Sequence, residues 1–567
     1  MSDESYDLVI AGSGSAGLAA AIIAHSLGMR AIVVEKTDLV GGTSCYSGGV
    51  IWVPNSRQNV ASGVQDSVDR AERYLDSTIS NSHEREARRV YLERGGEAVA
   101  YLEEKTGPLF YVRAINSPDY YPEADGAEIQ GRAMTPITYD GRNLKERFRD
   151  LRSPLPELCL FGRQMLELMD VYHLLNARRS LRSAWHTGKL LLRDVKDRLF
   201  YRQYGRGTRL TGGNALVARL YKAALDRDIP VVRNTALVGL IKKDGVVCGV
   251  EVTQNGVKRE ILAKRGVVLA TGGFPWSKDL REQFMGDTEF GYSATSPDST
   301  GDGIAIAMQN GGQFDRKNSE GAFWTPVSVG TRADGSTARF PHLMADRAKP
   351  RLIAVNRLGQ RFFNEAENYH DFVRAMHREL GNGDQQPVHL LCDAPYLKKY
   401  AFGAIPPLAS ERRRALRSGY LIEGRTVEEL AHKIGVDPSR LKQTITAFNQ
   451  DARKGVDAEF GKGSSAYNRY LGDATHGPNP CLGPIEKAPF YAIRVYAGDI
   501  GTAMGLAADE HSRVLDENGV AIPGLYACGN DRNSIMAGSY PSGGITIGPA
   551  LVFAYLAVQH ASRAQEN

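Results

Sequence analysis

Cysteine is scarce in this sequence and never occurs in closely spaced pairs. Its six cysteines are scattered over 567 residues, and no two of them are separated by only two residues. Structural zinc sites and small disulfide frameworks are recognised by short, repeated cysteine spacings. We therefore expect no metal site and no disulfide framework, and we expect a reducing compartment, the cytoplasm.

Long apolar runs and a strong charge imbalance are also absent. The longest apolar stretch, residues 545–558, is shorter than the roughly 20 residues that a membrane-spanning helix requires. The first residues lead directly into a strand pattern, without the basic and apolar regions of a signal peptide. The net charge of +5 is too small for this length to indicate nucleic-acid binding. The composition instead indicates a globular protein with more than one core.

Glycine, in contrast, is abundant, and its placement in residues 6–35 predicts a dinucleotide-binding unit. An apolar strand is followed by Gly12, Gly14 and Gly17, then by a helical pattern, a second apolar strand and the acidic Glu35. In such a unit the first glycine permits a tight turn, the second lets the backbone approach a pyrophosphate, and the third lets helix and strand pack closely. The acid follows about 20 residues later, where it accepts hydrogen bonds from a ribose.

Three further segments are predicted to contact the same cofactor. A Gly/Ser-rich loop at 41–49 offers hydroxyl and N–H groups to phosphate oxygens, and a buried strand at 265–273 ends in small residues. In 524–558 a strand ends at a glycine and a helix then begins, whose N-terminus favours negative charge on a bound ring. The predicted cofactor-binding residues are Gly12, Gly14, Ser15, Ala16, Gly17, Glu35, Lys36, Gly42, Thr43, Ser44, Ser47, Gly48, Gly49, Ala236, Thr271, Gly272, Gly273, Gly529, Asn530, Gly544, Ile545 and Ile547.

Residues 141–210 differ from the rest of the chain in charge. They contain 16 Lys and Arg against 7 Asp and Glu, a net charge of +9, whereas the whole chain has +5. Trp, Phe and Leu are interleaved at helical spacing, a pattern typical of helices that lie on an anionic membrane surface. A helical insertion with a solvated basic face, or an oligomer contact, produces the same pattern. Peripheral membrane association through residues 142–205 and a purely structural insertion therefore both remain open.

These motifs together resemble those of the fumarate reductase/succinate dehydrogenase flavoprotein superfamily, and within it they are most similar to the 3-ketosteroid 1-dehydrogenases. The resemblance covers nearly the whole chain except residues 130–208. It rests on GSGSAG from Gly12, GGTSCYSGG from Gly41, DYY from Asp119, NEAENY from Asn364 and YPSGGITIGPA from Tyr540.

The resemblance implies an α/β fold with a discontinuous Rossmann-like FAD-binding domain, residues 1–290 and 487–567. It implies an inserted α+β catalytic domain, residues 291–486, and a basic helical insertion at 130–208. Succinate dehydrogenases attach their flavin to a histidine, and the loop at 41–49 contains none. We therefore expect FAD to be bound noncovalently.

The resemblance also implies a reaction and the residues that perform it. In 3-ketosteroid 1-dehydrogenases the reactive groups are three tyrosines and a backbone N–H, and the matching positions here are Tyr120, Tyr369, Tyr540 and Gly544. Tyr540 and the Gly544 N–H would bind the C3 carbonyl and stabilise enolate-like charge. Tyr369, as a phenolate, would remove the C2 proton with the help of Tyr120. Hydride would pass from C1 to flavin N5, and a quinone-like acceptor would reoxidise the flavin.

Differences from neighbouring families leave alternatives open. Fumarate reductases bind a dicarboxylate through a histidine and an arginine, and here Met536 and Tyr540 stand at those positions, so a neutral ketone suits the pocket better. Ser542 resembles the serine of 3-keto-5α-steroid 4-dehydrogenases, and we expect both Ser542 and Met536 in the substrate pocket. The alternatives are 4-dehydrogenation, desaturation of another cyclic ketone, a fumarate-reductase-like enzyme, and a flavin-binding protein without catalysis.

Overall fold

The computed structural model describes residues 5–112, 117–160, 162, 164–177, 179–285, 290–344, 346–381 and 386–564. Two six-stranded sheets and a four-stranded sheet form its framework. The four-stranded sheet contains Ser5–Tyr6, Thr235–Lys243, Val246–Gln254 and Val257–Ala263. The helices of the described chain are Ser15–Ser26, Arg57–Ala61, Val68–Thr78, Arg85–Thr106, Leu168–Asn176, Leu181–Tyr204, Gly212–Leu225, Lys278–Met285, Asp302–Gln309, Tyr369–Leu380, Ala394–Lys399, Ala409–Arg417, Val427–Ile434, Pro438–Lys454, Ala466–Leu471 and Ile547–Arg563.

The first sheet is mostly parallel and contains the predicted dinucleotide-binding unit. In spatial order its strands are Val231–Val232, Ala31–Val34, Leu8–Ala11, Val267–Leu269, Ala521–Ala527 and Arg513–Leu515. Its central strands are buried along their whole length, as their continuous Val, Ile and Leu content predicts for a parallel sheet. The carboxyl ends of the parallel strands meet at one edge, where open α/β sheets bind nucleotide cofactors.

The second sheet is antiparallel and lies mainly in the region that we expected to be catalytic. Its strands are Ala322–Thr331, Thr337–Pro341, Leu352–Val355, Val388–Asp393, Ile422–Gly424 and Phe490–Thr502. The last strand pairs with three others, so it is central to this sheet. Within the predicted second part of the FAD-binding domain, residues 487–567, this strand pairs in the second sheet, and the strands from Arg513 to Ala527 pair in the first. A buried apolar strand can pair in either sheet. Contacts with distant parts of the chain decide which strands become its partners.

The basic insertion is joined to the rest of the chain by a two-stranded ribbon, in which Tyr139–Asp140 pairs with Arg209–Leu210. Ala133–Pro136 still belongs to a small sheet with two strands of the surrounding chain. The ribbon thus encloses residues 141–208 of the predicted insertion. Its main feature is a helical hairpin, Leu168–Asn176 and Leu181–Tyr204. In the described part of the chain, no helix combines the length and apolar character needed to cross a membrane.

Candidate active site

A large cavity lies between the two sheets and is lined by segments of both. The predicted tyrosines Tyr120, Tyr369 and Tyr540 line it, although they come from widely separated parts of the chain. The predicted cofactor-binding residues that line it are Gly12, Gly14, Ser15, Ala16, Glu35, Lys36, Gly42, Thr43, Ser44, Ser47, Gly48, Gly49, Thr271, Gly272, Gly529, Asn530, Gly544 and Ile547. One cavity thus joins the dinucleotide-binding turn to the candidate reactive groups.

The glycine-rich turn at one end of the cavity fits the ADP half of FAD. Gly12 has a φ of +103°, and a Cβ at this position would lie 2.2 Å from the Ala270 carbonyl oxygen, so the turn requires glycine. Helix Ser15–Ser26 follows, and its capping residue Gly14 has no side chain to bond the first N–H groups. The Ser15 N–H donates to Ser44 Oγ at 3.1 Å, and the N–H groups that follow suit phosphate oxygens. Glu35 lines the cavity and accepts hydrogen bonds from the Ser13 N–H at 3.1 Å and hydroxyl at 2.6 Å. A carboxylate held in this way suits the ribose hydroxyls.

Four predicted cofactor-binding residues do not line the cavity: Gly17, Ala236, Gly273 and Ile545. Gly17 lies beneath the turn, where a Cβ would be 2.0 Å from the Gly12 carbonyl oxygen. The Gly273 N–H donates to Asp531 at 2.8 Å. Gly17 therefore allows close packing of helix and strand, and the other three are adjacent in sequence to residues that do line the cavity.

Three tyrosine side chains converge at the other end of the cavity. The Tyr120 hydroxyl donates a hydrogen bond to the Tyr369 hydroxyl at 3.1 Å. The rings of Tyr369 and Tyr540 lie 5.1 Å apart, and those of Tyr120 and Tyr540 are stacked at 5.8 Å. All three side chains are buried. Tyr369 is the first residue of helix Tyr369–Leu380, whereas the other two lie in loops.

Burial decides the protonation state of these tyrosines. It raises the pKa of Tyr120 and of Tyr369 well above the ordinary value of 10, because it penalises the charged form. Burial also raises the pKa of Tyr540 to about 12, although a hydrogen bond with Tyr369 acts in the opposite direction. Near neutral pH all three are therefore predominantly phenols. Tyr540 can donate to a carbonyl oxygen, and Tyr369 can act as a base in the fraction of molecules that has lost its proton.

Gly544 supplies a backbone N–H beside the tyrosines. Its φ is +105°, and a Cβ would lie 2.5 Å from the Ile51 carbonyl carbon, so the turn requires glycine here. The Gly544 carbonyl accepts from the Trp52 N–H at 3.2 Å, whereas its own N–H has no partner among the described residues. Helix Ile547–Arg563 follows, and its uncapped N-terminus lines the cavity, where it fits the electron-accepting ring of a flavin.

Ser542 and Met536, which we expected in the substrate pocket, do not line the cavity. Ser542 is 1% exposed. Burial raises the pKa of the Asp119 carboxyl, and a hydrogen bond from the Ser542 hydroxyl acts in the opposite direction. Met536 is fully buried in the main apolar core. In this tail segment Tyr540 and Gly544 reach the cavity, whereas the serine between them lies behind the cavity wall.

No sequence motif marks two further residues of this cluster. Tyr467 is buried with its ring 4.7 Å from that of Tyr120, and its hydroxyl has no hydrogen-bond partner among the described residues. The buried Arg347 guanidinium donates to the backbone carbonyls of Glu365 and Glu367. Burial raises the pKa of Tyr467, and the positive charge of Arg347 acts in the opposite direction. Long-range packing alone brings both residues to the reactive tyrosines.

Comparison with known proteins identifies the family. The FAD binding domain family matches residues 7–547. A 4-oxocyclohex-2-ene-1-carboxylate 5-dehydrogenase from Sinomonas cyclohexanicum is 36% identical over 99% of this chain and 95% of its own. A 3-oxosteroid 1-dehydrogenase from Mycolicibacterium smegmatis is 34% identical over 98% of this chain and 97% of its own.

A solved structure agrees with these relatives. The crystal structure of 3-ketosteroid Δ1-dehydrogenase from Sterolibacterium denitrificans in complex with 1,4-androstadiene-3,17-dione has a TM-score of 0.90 to this chain. Its sequence is 36% identical, and the match covers 99% of this chain and 100% of that one. This chain therefore belongs to the FAD-dependent oxidoreductases of the FAD binding domain family, in the group that contains the 3-oxosteroid 1-dehydrogenases.

Proposed function

We propose that this protein is an FAD-dependent 3-ketosteroid 1-dehydrogenase, which introduces a double bond between C1 and C2 of ring A. The observation that carries the proposal is that three buried phenols and the Gly544 N–H, which has no partner among the described residues, meet in one cavity with the dinucleotide-binding turn. Such a set can bind a ketone oxygen and remove a proton from the adjacent carbon. The relatives named as steroid dehydrogenases support the substrate class.

In this proposal each group has a distinct task. Tyr540 and the Gly544 N–H donate to the C3 oxygen and stabilise the charge that develops there when C2 loses a proton. Tyr369 takes that proton as a phenolate, and the Tyr120 hydroxyl, 3.1 Å away, stabilises the phenolate by donating to it. Bound FAD supplies the acceptor for the hydride that leaves C1.

A second candidate is a dehydrogenase of a cyclohexanone carboxylic acid, because one relative is named for 4-oxocyclohex-2-ene-1-carboxylate. A carboxylate buried in the pocket would need a cation. In the described lining of the cavity the cations are Lys36 and Arg152, and both are already paired, with Asp302 at 2.8 Å and with Asp298 at 2.6 Å. The apolar cluster that contains the three tyrosines instead includes the neutral lining residues Leu343, Met344 and Ile500. These neutral apolar neighbours favour a neutral ring ketone over a carboxylate as the substrate.

Product analysis tests the position of the new double bond. We expect a C1–C2 double bond from both androst-4-ene-3,17-dione and 5α-androstane-3,17-dione, identified by mass spectrometry and NMR. The proposal assigns no chemical role to Ser542, because this side chain lies against Asp119 and outside the cavity. Formation of a C4–C5 double bond from the saturated steroid would instead identify a 4-dehydrogenase.

We infer that the helical hairpin docks the enzyme on a membrane surface. Large apolar side chains of its second helix are exposed, and four in its described part are exposed by more than half: Leu181 by 91%, Trp185 by 68%, Leu192 by 66% and Val195 by 57%. Their spacing of four, seven and three residues places them along one face of the helix. An apolar stripe of this kind is unfavourable in water and supports membrane contact over a solvated basic face.

Charge favours an anionic bilayer as the partner of this apolar stripe. The same helix exposes basic side chains, whereas its acidic residues Asp194 and Asp197 are buried. Steroids and quinones both dissolve in bilayers, so docking would bring the substrate and a quinone-like electron acceptor to the enzyme. We propose the cytoplasmic face of the membrane, whose anionic lipids attract such a segment. The exposed basic residues are Arg182, Lys189, Lys196 and Arg198.

A further inference from the structure

We propose that Tyr121 and Asp371 form a positioning pair that fixes the distance between the reactive tyrosines Tyr120 and Tyr369. This inference rests on the proposed function, because that function assigns reactive roles to Tyr120 and Tyr369. Tyr121 does not line the cavity, so it acts through its neighbour and touches neither substrate nor cofactor.

Two parallel hydrogen bonds connect the same two segments of the chain. The Tyr120 hydroxyl donates to the Tyr369 hydroxyl at 3.1 Å, and the Tyr121 hydroxyl donates to Asp371 Oδ2 at 2.7 Å. In sequence, Tyr120 and Tyr369 are 249 residues apart, and Tyr121 and Asp371 are 250 residues apart. The second bond is the shorter, and it lies outside the cavity, where the reaction does not disturb it.

Asp371 is a firmly held acceptor in the first turn of helix Tyr369–Leu380. The side chain of Asn368, which caps this helix, accepts from the Asp371 N–H at 2.9 Å and donates to Asp371 Oδ2 at 2.9 Å. Arg374 donates to the other carboxylate oxygen at 3.2 Å. The carboxylate therefore moves with the helix that begins at Tyr369, and a bond to it fixes the adjacent loop relative to that residue.

The Tyr121 hydroxyl remains a donor throughout the working range of the enzyme. Burial raises its pKa, and the negative charge of Asp371 raises it further. The Tyr121 hydroxyl thus keeps its proton near neutral pH and can hold the link to Asp371. Proton abstraction is sensitive to such a link, because a misplacement of about 1 Å can reduce a rate by about 100-fold.

The test is the Tyr121→Phe variant, which removes only the hydroxyl. In anaerobic stopped-flow measurements with androst-4-ene-3,17-dione, we expect the limiting rate of flavin reduction to fall by about 10- to 100-fold. The steroid concentration that gives half-maximal rate and the FAD content should not change. The matched control is Tyr555→Phe, which also removes a tyrosine–carboxylate hydrogen bond, to Glu97 at 2.6 Å, and neither Tyr555 nor Glu97 lines the cavity. This control should reduce at the wild-type rate.

A double-mutant cycle separates positioning from general destabilisation. Adding Asp371→Asn to Tyr121→Phe should cost little more rate than Tyr121→Phe alone, because the link is already broken. The positioning role would be wrong if Tyr121→Phe kept the wild-type limiting rate of flavin reduction. It would also be wrong if the rate losses of the two single variants were additive in the double variant. If the steroid does not reduce the wild-type flavin, the proposed function is wrong; the same variants are then compared with 4-oxocyclohex-2-ene-1-carboxylate, which tests the pair independently.

Discussion

Tyr369 and Tyr540 bear the same hydroxyl group, yet their surroundings suit them to different tasks. Tyr369 accepts a hydrogen bond from the Tyr120 hydroxyl at 3.1 Å, so a second phenol lies beside the proposed base. Tyr540 packs against Phe323 and against His370, whose pKa is lowered to about 4 by burial, so this imidazole is neutral. Among the described residues, the rings in contact with Tyr540 are uncharged, and its raised pKa keeps Tyr540 a phenol that can donate a hydrogen bond.

Substitution of these residues should separate the two tasks. We expect Tyr369→Phe to reduce the rate of flavin reduction by about 10²- to 10⁴-fold, because it removes the base. Tyr540→Phe should reduce it by about 10²- to 10³-fold, because one donor to the developing oxyanion is lost. Both variants should keep their FAD, since neither hydroxyl belongs to the glycine-rich turn. Wild-type rates of steroid-dependent flavin bleaching in Tyr369→Phe would exclude this residue as the base.

The raised pKa of Tyr369 predicts a rate that increases with pH. Since the folded protein holds this proton well above pH 10, the phenolate fraction increases with each unit of pH below that value. The rate of flavin reduction should therefore rise between pH 6 and 9, by up to about tenfold per unit. The measurement is the anaerobic reduction rate across this range, with Tyr369→Phe as the control in which the rise disappears. A rate that is constant or falls with pH would contradict the assignment.

At the scale of elements, local motifs were easier to predict than pairing partners. The turn at 12–17, the loop at 41–49 and the tail at 540–547 carry their chemistry in adjacent residues, and each contributes lining residues to the cavity. The sequence of strand Phe490–Thr502 does not reveal its partners in the second sheet, because an apolar strand does not specify its neighbours. Likewise, the DYY motif does not reveal which tyrosine reaches Tyr369; packing decides it.

The helical hairpin is the element on which the membrane proposal depends. Wild-type protein should sediment with vesicles that contain phosphatidylserine, and less with pure phosphatidylcholine vesicles or at high salt. Trp185→Glu combined with Leu192→Glu should abolish sedimentation and leave flavin reduction unchanged. The control is Val257→Glu combined with Val456→Glu, which alters two exposed apolar residues elsewhere and should behave as wild type. Equal sedimentation of both double variants, or a wild type that stays in the supernatant, would contradict docking.

Substitution is preferable to deletion for this experiment. Leu144, Phe148 and Leu151 lie near the start of the insertion and are buried in the main apolar core. Removal of residues 142–205 would delete all three and expose the core surface that they cover. A deletion variant would therefore report on stability as well as on membrane contact.

At the scale of the whole molecule, the insertion contacts both parts of the enzyme. Arg152 donates to Thr37 Oγ1, which follows strand Ala31–Val34 of the first sheet, at 3.3 Å, and Glu157 pairs with Arg332, which directly follows strand Ala322–Thr331 of the second sheet, at 2.6 Å. Leu155, between these two contacts, lines the cavity. The segment that carries the apolar stripe thus also contributes to the cavity wall, and this connects the proposed membrane surface with the substrate site.

The most direct test of the account is an anaerobic titration of the purified protein with two ketones. Androst-4-ene-3,17-dione should bleach the visible absorbance of the bound flavin, whereas 4-oxocyclohex-2-ene-1-carboxylate should leave it unchanged, because the described wall around the tyrosines offers its carboxylate no free cation. Bleaching by the acid and not by the steroid would contradict the central claim that a buried set of phenols holds a neutral ring ketone.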